Sequence, residues 1–172
     1  QTVVLHGLDT HVSASFAAAL SRLSAAGVRI RELALAPFGD LAGANAKGGL
    51  VAAEAYAAHQ LRLAQSGERY DPRVRVRMER GATQTAADYL QLQEFRRAWI
   101  ASVTSAMVGV DMLVCPTAPT IAPTIASMDS DEEFGRVNLA MLRNPTFANF
   151  LDGCAISVPC HAAGTAPILS AP

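Results

Sequence analysis

The feature that most constrains the fold of this sequence is an apolar run, residues 112–115, that stops abruptly at the Pro-Thr-Ala-Pro segment of residues 116–119. A second apolar run, residues 155–158, stops in the same way at Pro159. Short apolar runs bounded by turn residues are typical of buried strands. In open α/β sheets, ligands bind beyond the carboxyl ends of the strands. We therefore expect a binding site where these two runs end.

The start of the chain predicts a strand, a helix and a second strand. Val3-Val4-Leu5 is a short apolar run, and Asp9 or Thr10 can cap a helix whose apolar residues recur at helical spacing up to Leu23. Residues 28–35 begin by alternating apolar and charged residues, as a strand with two different faces does. Such a unit implies parallel strands with a right-handed crossover.

Further helices are expected over residues 50–65 and 85–107, and a third ending near Pro145. Residues 71–80 fit either an alternating strand or a short helix that follows a proline. We therefore predict an α/β fold, with a mixed, mostly parallel sheet flanked by helices. Residues 1–172 are expected to form one domain that is truncated at both ends.

The composition excludes several classes of protein. The net charge of −1 gives no electrostatic surface for nucleic acid or an anionic membrane, and no apolar segment is long enough to cross a bilayer. Half of the 172 residues are hydrophobic, which indicates a globular chain. The three scattered cysteines are typical of a reducing compartment, so we expect a cytoplasmic protein without disulfides.

Several residue clusters have a structural explanation beside a functional one. Cys160 and His161 are adjacent and therefore point to opposite faces of a strand, which disfavours a nucleophile–base pair. The cysteines and histidines match no common zinc spacing, so no metal site is expected. The arginines between residues 69 and 80 alternate with acidic residues and indicate a solvated face, although one of them could bind a substrate carboxylate.

A series of short motifs in one order resembles the C-terminal portion of the amidase signature family. The motifs are RMERG at residues 77–81, ADY at 87–89, two arginines at 96–97, DMLVCPTAPTIAPTI at 111–125, and FANFLDGCAISVPC at 147–160. The last of these is most similar to the allophanate hydrolase branch. Asp152-Gly153-Cys154 departs from the Gly-Leu-Pro that is more usual in the family at that point.

The resemblance implies an amide hydrolase that needs no metal or organic cofactor. In the family a serine attacks the amide carbonyl, assisted by a second serine with a cis peptide and by a lysine base, and all three precede the portion that this chain resembles. The resemblance therefore gives no catalytic residue here. It implies that five residues contact a small carboxamide or a ureido acid such as allophanate: Tyr56, Arg77, Thr117, Pro119 and Asn149.

The expected partners are the remainder of the amidase domain and a second copy in a homodimer. The isolated chain is predicted to be inactive. Two other interpretations stay open: a non-catalytic α/β module for small-molecule binding or assembly, and a cysteine hydrolase that uses Cys160.

Overall fold

The computed structural model describes residues 3–162. Its α-helices are α1 (Thr10–Ala25), α2 (Leu41–Ala44), α3 (Gly49–Ser66), α4 (Pro72–Glu79), α5 (Ala86–Ala106) and α6 (Asp131–Leu151). Short 3₁₀ helices occur at Val3–Leu5, Ala36–Asp40, Gly67–Arg69, Arg80–Thr83 and Ile125–Met128.

The predicted α/β fold with a mixed, mostly parallel sheet is wrong, because residues 3–162 form helices and irregular segments and contain no strand. A strand exists only when it exchanges backbone hydrogen bonds with a second one. The apolar runs 112–115 and 155–158 have no such ladder in this part of the chain, and Ile156 is 88% exposed. An apolar run therefore did not suffice to make a strand.

Three other segments differ from the expectation. Val3–Leu5 forms a 3₁₀ turn, and residues 28–35 are irregular. The helix expected to end near Pro145 continues to Leu151 with the proline inside it. A proline in a helix removes one backbone hydrogen bond, which a long helix with buried side chains on either side of that point can tolerate. Here Asn144 and Phe147 supply that packing.

The described residues divide into two compact units, one made of residues 3–38 and 105–162 and the other of residues 39–104. The first contains α1 and α6. Its apolar centre includes Val12, which is fully buried, and the rings of Phe38 and Phe147, which stack with centroids 4.1 Å apart. This packing fixes α6 against the segment that follows residue 35.

The unit of residues 39–104 is helical because its sequence carries strong local signals. The segment 71–80, which fitted a strand or a helix, is helix α4. Asp71 caps it by accepting from the backbone N–H groups of Arg73 and Val74, and Pro72 occupies its first turn. Arg75 pairs with Glu79 one turn later at 2.7 Å, so this part of the arginine cluster is paired on the helix itself.

Helix α5, expected over residues 85–107, begins with a capping box and buries one apolar face. The N–H of Thr85 donates to the carboxylate of Asp88, and the N–H of Asp88 donates to the Thr85 hydroxyl. Leu92, Trp99 and Val103 are buried along one side. No helix within residues 3–162 combines the length and the hydropathy that a bilayer-spanning helix requires.

Gly81 lets the 3₁₀ turn Arg80–Thr83 approach α3 closely. A Cβ atom placed on Gly81 would lie 2.1 Å from the carbonyl oxygen of Ala52 and 2.6 Å from the Cβ of Tyr56. Backbone atoms of a helix cannot move aside cheaply. The absence of a side chain at residue 81 is therefore a packing requirement.

We predict that Gly81→Ala lowers the free energy of unfolding by about 1–3 kcal/mol, the usual cost of overpacking. Urea denaturation followed by circular dichroism measures it. The matched control is Gly43→Ala in α2, where an added Cβ meets no atom within 4 Å and stability should hold or rise slightly. Equal stabilities for Gly81→Ala and the wild type would contradict the prediction.

Candidate functional site

Two hydroxyl groups meet where the predicted binding site was placed. The hydroxyl oxygens of Thr117 and Ser157 lie 2.8 Å apart, and either can donate to the other. Both side chains are half-buried. Each hydroxyl carries one proton and can also accept, so their mutual bond uses one proton and leaves the other for a third group. The pair can therefore donate to a carbonyl or carboxylate oxygen.

The segment that carries Thr117, residues 116–121, is called the Thr-Pro turn below. Its first residue is held by α6: the side-chain amide of Asn144 donates to the carbonyl oxygen of Pro116 at 2.7 Å and to that of Val4 at 3.0 Å. Asn144 is only 3% exposed, and Ala118 inside the turn is equally buried. A buried amide with both donor bonds made fixes the backbone that it touches.

The other end of the Thr-Pro turn is held by Asp9 at the start of α1. One carboxylate oxygen of Asp9 caps the helix by accepting from the N–H of Val12 at 2.7 Å, and the other accepts from the N–H of Ile121 at 2.8 Å. The N–H of Asp9 donates to the carbonyl oxygen of Pro119 at 2.9 Å. Residues at both ends of the turn are thus bound by side chains remote in sequence.

The five residues predicted to contact substrate fall into both units of the chain. Thr117 and Pro119 lie together on the Thr-Pro turn, while Asn149 lies on the exposed side of α6. Tyr56 is half-buried on α3, and Arg77 is exposed in the last turn of α4. Their substrate-binding role stays a prediction.

The only lysine of the sequence, Lys47, is bound to a carboxylate. Its ammonium group lies 2.8 Å from Asp88, in the unit of residues 39–104. A hydrogen bond from Lys47, followed by bonds from the backbone and hydroxyl of Thr85, lowers the pKa of the Asp88 carboxyl to about 2. An ammonium ion has no lone pair with which to accept a proton. In this arrangement Lys47 is the ion-pair partner of Asp88.

The cysteine–histidine alternative gains no support from the geometry. Cys160 is half-buried, its carbonyl oxygen accepts from Arg22 at 3.1 Å, and its thiol is free. The buried Nδ1 atom of His161 has no hydrogen-bond partner in the part of the chain that the structure describes, so it makes no bond to the neighbouring thiol. Within residues 3–162, no group of three His, Cys, Asp or Glu side chains is placed to hold a metal ion.

Comparison with known proteins identifies the family to which this chain belongs. The family model described as Amidase matches residues 2–168, nearly the whole chain. The chain belongs to the amidase family. It is 27% identical over 152 residues to the 2-amino-5-chloromuconic acid deaminase of Comamonas testosteroni and 28% identical over 156 residues to an amidase of Pseudomonas putida.

These matches cover 88% and 89% of this chain but 33% of each relative. The chain therefore spans about a third of the length of the amidase-family proteins that it matches. No solved structure matches it significantly.

Sequence reasoning missed three residues that build the site in this amidase-family chain. Asp9 carried only the signal of a helix cap, which is correct but incomplete. Ser157 lies in the quoted AISVPC motif, yet nothing in the sequence alone pairs it with Thr117. Asn144 precedes a proline that was expected to end a helix, so its burial could not be foreseen.

Loss of the Asn144 amide is expected to destabilise the protein. Asn144→Ala removes the donor to the buried carbonyl oxygen of Pro116 and leaves that of Val4 with only a 3.5 Å bond from Arg143, which costs about 1–3 kcal/mol. Asn144→Asp should cost more, because a carboxylate oxygen, which is an acceptor, would then face the carbonyl oxygens of Val4 and Pro116. The measurement is urea denaturation, with Asn149→Ala on the exposed side of α6 as the control. A loss no larger than that of the control would show that Asn144 does not hold the turn.

Removal of Lys47 is expected to raise the pKa of Asp88. In Lys47→Ala that pKa should move from about 2 towards the ordinary 3.8, but not reach it, because the bonds from Thr85 remain. The folded-state pKa is depressed, so the stability due to ionised Asp88 is complete above about pH 4 and is lost as the pH falls towards 2. In Lys47→Ala less stability is lost over this range.

The Asp88 side-chain carbon followed by NMR during acid titration reports this pKa directly. Lys47→Arg keeps a cationic donor and is the control, with a pKa expected to stay low. An Asp88 that titrates near 2 in both variants would show that Lys47 is not the main cause.

Proposed function

We propose that the natural protein carrying this chain hydrolyses the carbon–nitrogen bond of a small amide, either a carboxamide or a ureido acid such as allophanate. In this proposal residues 3–162 provide part of the substrate pocket. The observation that carries it is the hydroxyl pair of Thr117 and Ser157, half-buried beside a turn held at both ends, in a chain of the amidase family. The names of the two relatives, an amidase and a deaminase, support chemistry at a carbon–nitrogen bond.

The hydroxyl pair suits an amide as ligand. An amide group is neutral, with a carbonyl acceptor beside an N–H donor, and a pair of hydroxyls offers one free proton together with lone pairs. No charge need be desolvated when the two meet, which keeps the cost of binding low. Arg77 is the residue proposed to meet a carboxylate of the substrate, as a ureido acid would carry, and Tyr56 is proposed as a further contact.

The bond-breaking residues are proposed to lie in polypeptide outside residues 1–172. The resemblance implies a serine nucleophile, a second serine and a lysine base, and the one lysine in this sequence is bound to Asp88. A lysine base must be deprotonated to accept a proton from a serine. We therefore propose that this chain contributes to substrate recognition and that, by itself, it does not hydrolyse amides.

A second candidate function is hydrolytic removal of an amino group from an unsaturated amino acid. The name of the Comamonas relative, aligned over 88% of this chain, favours it. Such a substrate carries carboxylates, so binding would depend on a cation such as Arg77 more than on the neutral hydroxyl pair. A natural protein without either activity would support the remaining alternative, a binding or assembly module.

The proposed activity is tested by ammonia release from a substrate panel. The panel contains simple carboxamides, allophanate and a 2-aminomuconate. We expect turnover of an amide or ureido substrate by the natural protein and none above background by residues 1–172 alone. Turnover by the isolated chain would show that its own residues break the bond, whereas activity on the aminomuconate alone would select the second candidate.

The role of the Thr117 hydroxyl is tested in the natural protein. Thr117→Val keeps the shape of the side chain and removes the hydroxyl, so kcat/KM should fall about two- to tenfold, the equivalent of one neutral hydrogen bond. Thr117→Ser retains the hydroxyl and should restore most of the loss. Equal kcat/KM for Thr117→Val and the wild type would remove the hydroxyl pair from the proposed pocket.

A further inference from the structure

Asp9 makes more hydrogen bonds than a helix cap requires. A cap needs one side-chain oxygen that accepts from a first-turn N–H, and the bond to Val12 at 2.7 Å supplies this. The second oxygen accepts from the N–H of Ile121 at 2.8 Å, far away in sequence. That bond contributes nothing to α1. Its effect is on the Thr-Pro turn.

We propose that Asp9 is a positioning residue for the amide site, which acts through Thr117. The Asp9 carboxylate holds the Thr-Pro turn against the start of α1. The turn thereby keeps the Thr117 hydroxyl beside Ser157. The inference rests on the proposed function, since it treats Thr117 as the group that contacts the substrate.

Hydrogen bonds hold the Thr-Pro turn at both of its ends. The bonds from Asp9 to Pro119 and Ile121 fix its second half, and the bond from Asn144 to Pro116 fixes its first residue. Pro116 and Pro119 further restrict the backbone, because their rings fix φ. Thr117 therefore lies on a short segment with little freedom between two attachment points.

The hydrogen bonds of Asp9 also explain why a carboxylate stands at this position. Both of its oxygens accept from backbone N–H groups of different segments, and an ionised carboxylate can accept at both oxygens. Serine also caps helices well, but it has one side-chain oxygen. The asparagine side chain has one acceptor oxygen and one NH₂ donor group. The N–H of either Val12 or Ile121 would therefore face that NH₂ group. Neither residue can replace both bonds.

A small displacement of Thr117 has a measurable consequence if the hydroxyl contacts the reacting amide. A misplacement of about 1 Å in an active site can cost up to about a hundredfold in rate. Without the Asp9 carboxylate, the second half of the turn keeps only the bond from the backbone N–H of residue 9 to Pro119, and this looser attachment would permit such a displacement. We therefore expect the effect of Asp9 on kcat/KM to depend on the presence of the Thr117 hydroxyl.

The competing explanation is that Asp9 only caps α1, and Asp9→Ser separates the two roles. Serine keeps the cap but cannot bind Ile121. The matched control is Asp71→Ser at the start of α4, because both hydrogen bonds of Asp71 stay within its own helix, to Arg73 and Val74. Asp9→Asn is the second variant for the case in which Asp9→Ser does not fold.

The first measurement is amide hydrogen exchange of Ile121 in the natural protein. Asp9→Ser should raise its exchange rate tenfold or more, while the amides of α1 stay protected and Asp71→Ser leaves Ile121 unchanged. Unaltered exchange at Ile121 in Asp9→Ser and Asp9→Asn would overturn the proposal, because the turn would then be held without Asp9.

The second measurement is kinetic, on the panel substrate that the wild type turns over best. Asp9→Ser should lower kcat/KM about tenfold in the wild type and have little effect in the Thr117→Val background, since residues that act through one another are not additive. Additive losses, or an unchanged kcat/KM beside a faster Ile121 exchange, would reduce Asp9 to a structural role. A wild type inactive on the whole panel would overturn the proposed function, and the exchange result would then decide whether Asp9 fixes the turn.

Discussion

One buried amide, the side chain of Asn144, joins three segments that are remote in sequence. It places both of its donor bonds on the backbone carbonyls of Val4 and Pro116. Neither carbonyl belongs to an α-helix or a sheet. Without Asn144 the buried carbonyl of Pro116 would lose its donor, and that of Val4 would keep only a 3.5 Å bond from Arg143. The packing of α6 and the position of the Thr-Pro turn depend on these bonds.

The same solution recurs through the unit of residues 3–38 and 105–162. Where a sheet would join remote segments by a ladder of backbone bonds, here single side chains bind single backbone groups. Asp9 accepts from Ile121, Arg22 donates to the carbonyl of Cys160, and Arg31 donates to that of Val108. Each such contact depends on one side chain, whereas the contact between two strands of a sheet is distributed over many backbone hydrogen bonds. The position of the turn therefore depends on Asp9 and Asn144 individually.

The helices could be predicted from the sequence because their signals are local. The capping box of Thr85 and Asp88 lies within one turn, and the Asp71-Pro72 pair marks the start of α4. The absence of a sheet from residues 3–162 could not be predicted, since apolar composition indicates what a segment would bury and not whether another segment pairs with it. The exposed Ile156 shows an apolar residue for which residues 3–162 provide no cover.

The site was predictable to the extent that its position follows from turn chemistry. Proline at residues 116 and 119 marked the turn and drew attention to Thr117, and the family resemblance pointed to the same segment. The second acceptor of Asp9 and the burial of Asn144 depend on contacts across more than a hundred residues of chain, so no spacing rule could reveal them. The resemblance selected Asn149, which is exposed, whereas the asparagine that holds the turn is Asn144.

The chemistry of the hydroxyl pair fits the proposed role in substrate recognition better than a role in bond cleavage. A hydroxyl pair can orient a neutral amide, but neither hydroxyl becomes a nucleophile without a base to take its proton. The one lysine of the sequence is ion-paired with Asp88. A fixed turn with neutral donors is suited to aligning a carbonyl for a nucleophile supplied by other residues. For that task the accuracy with which Asp9 and Asn144 place Thr117 matters more than the reactivity of any group on the turn.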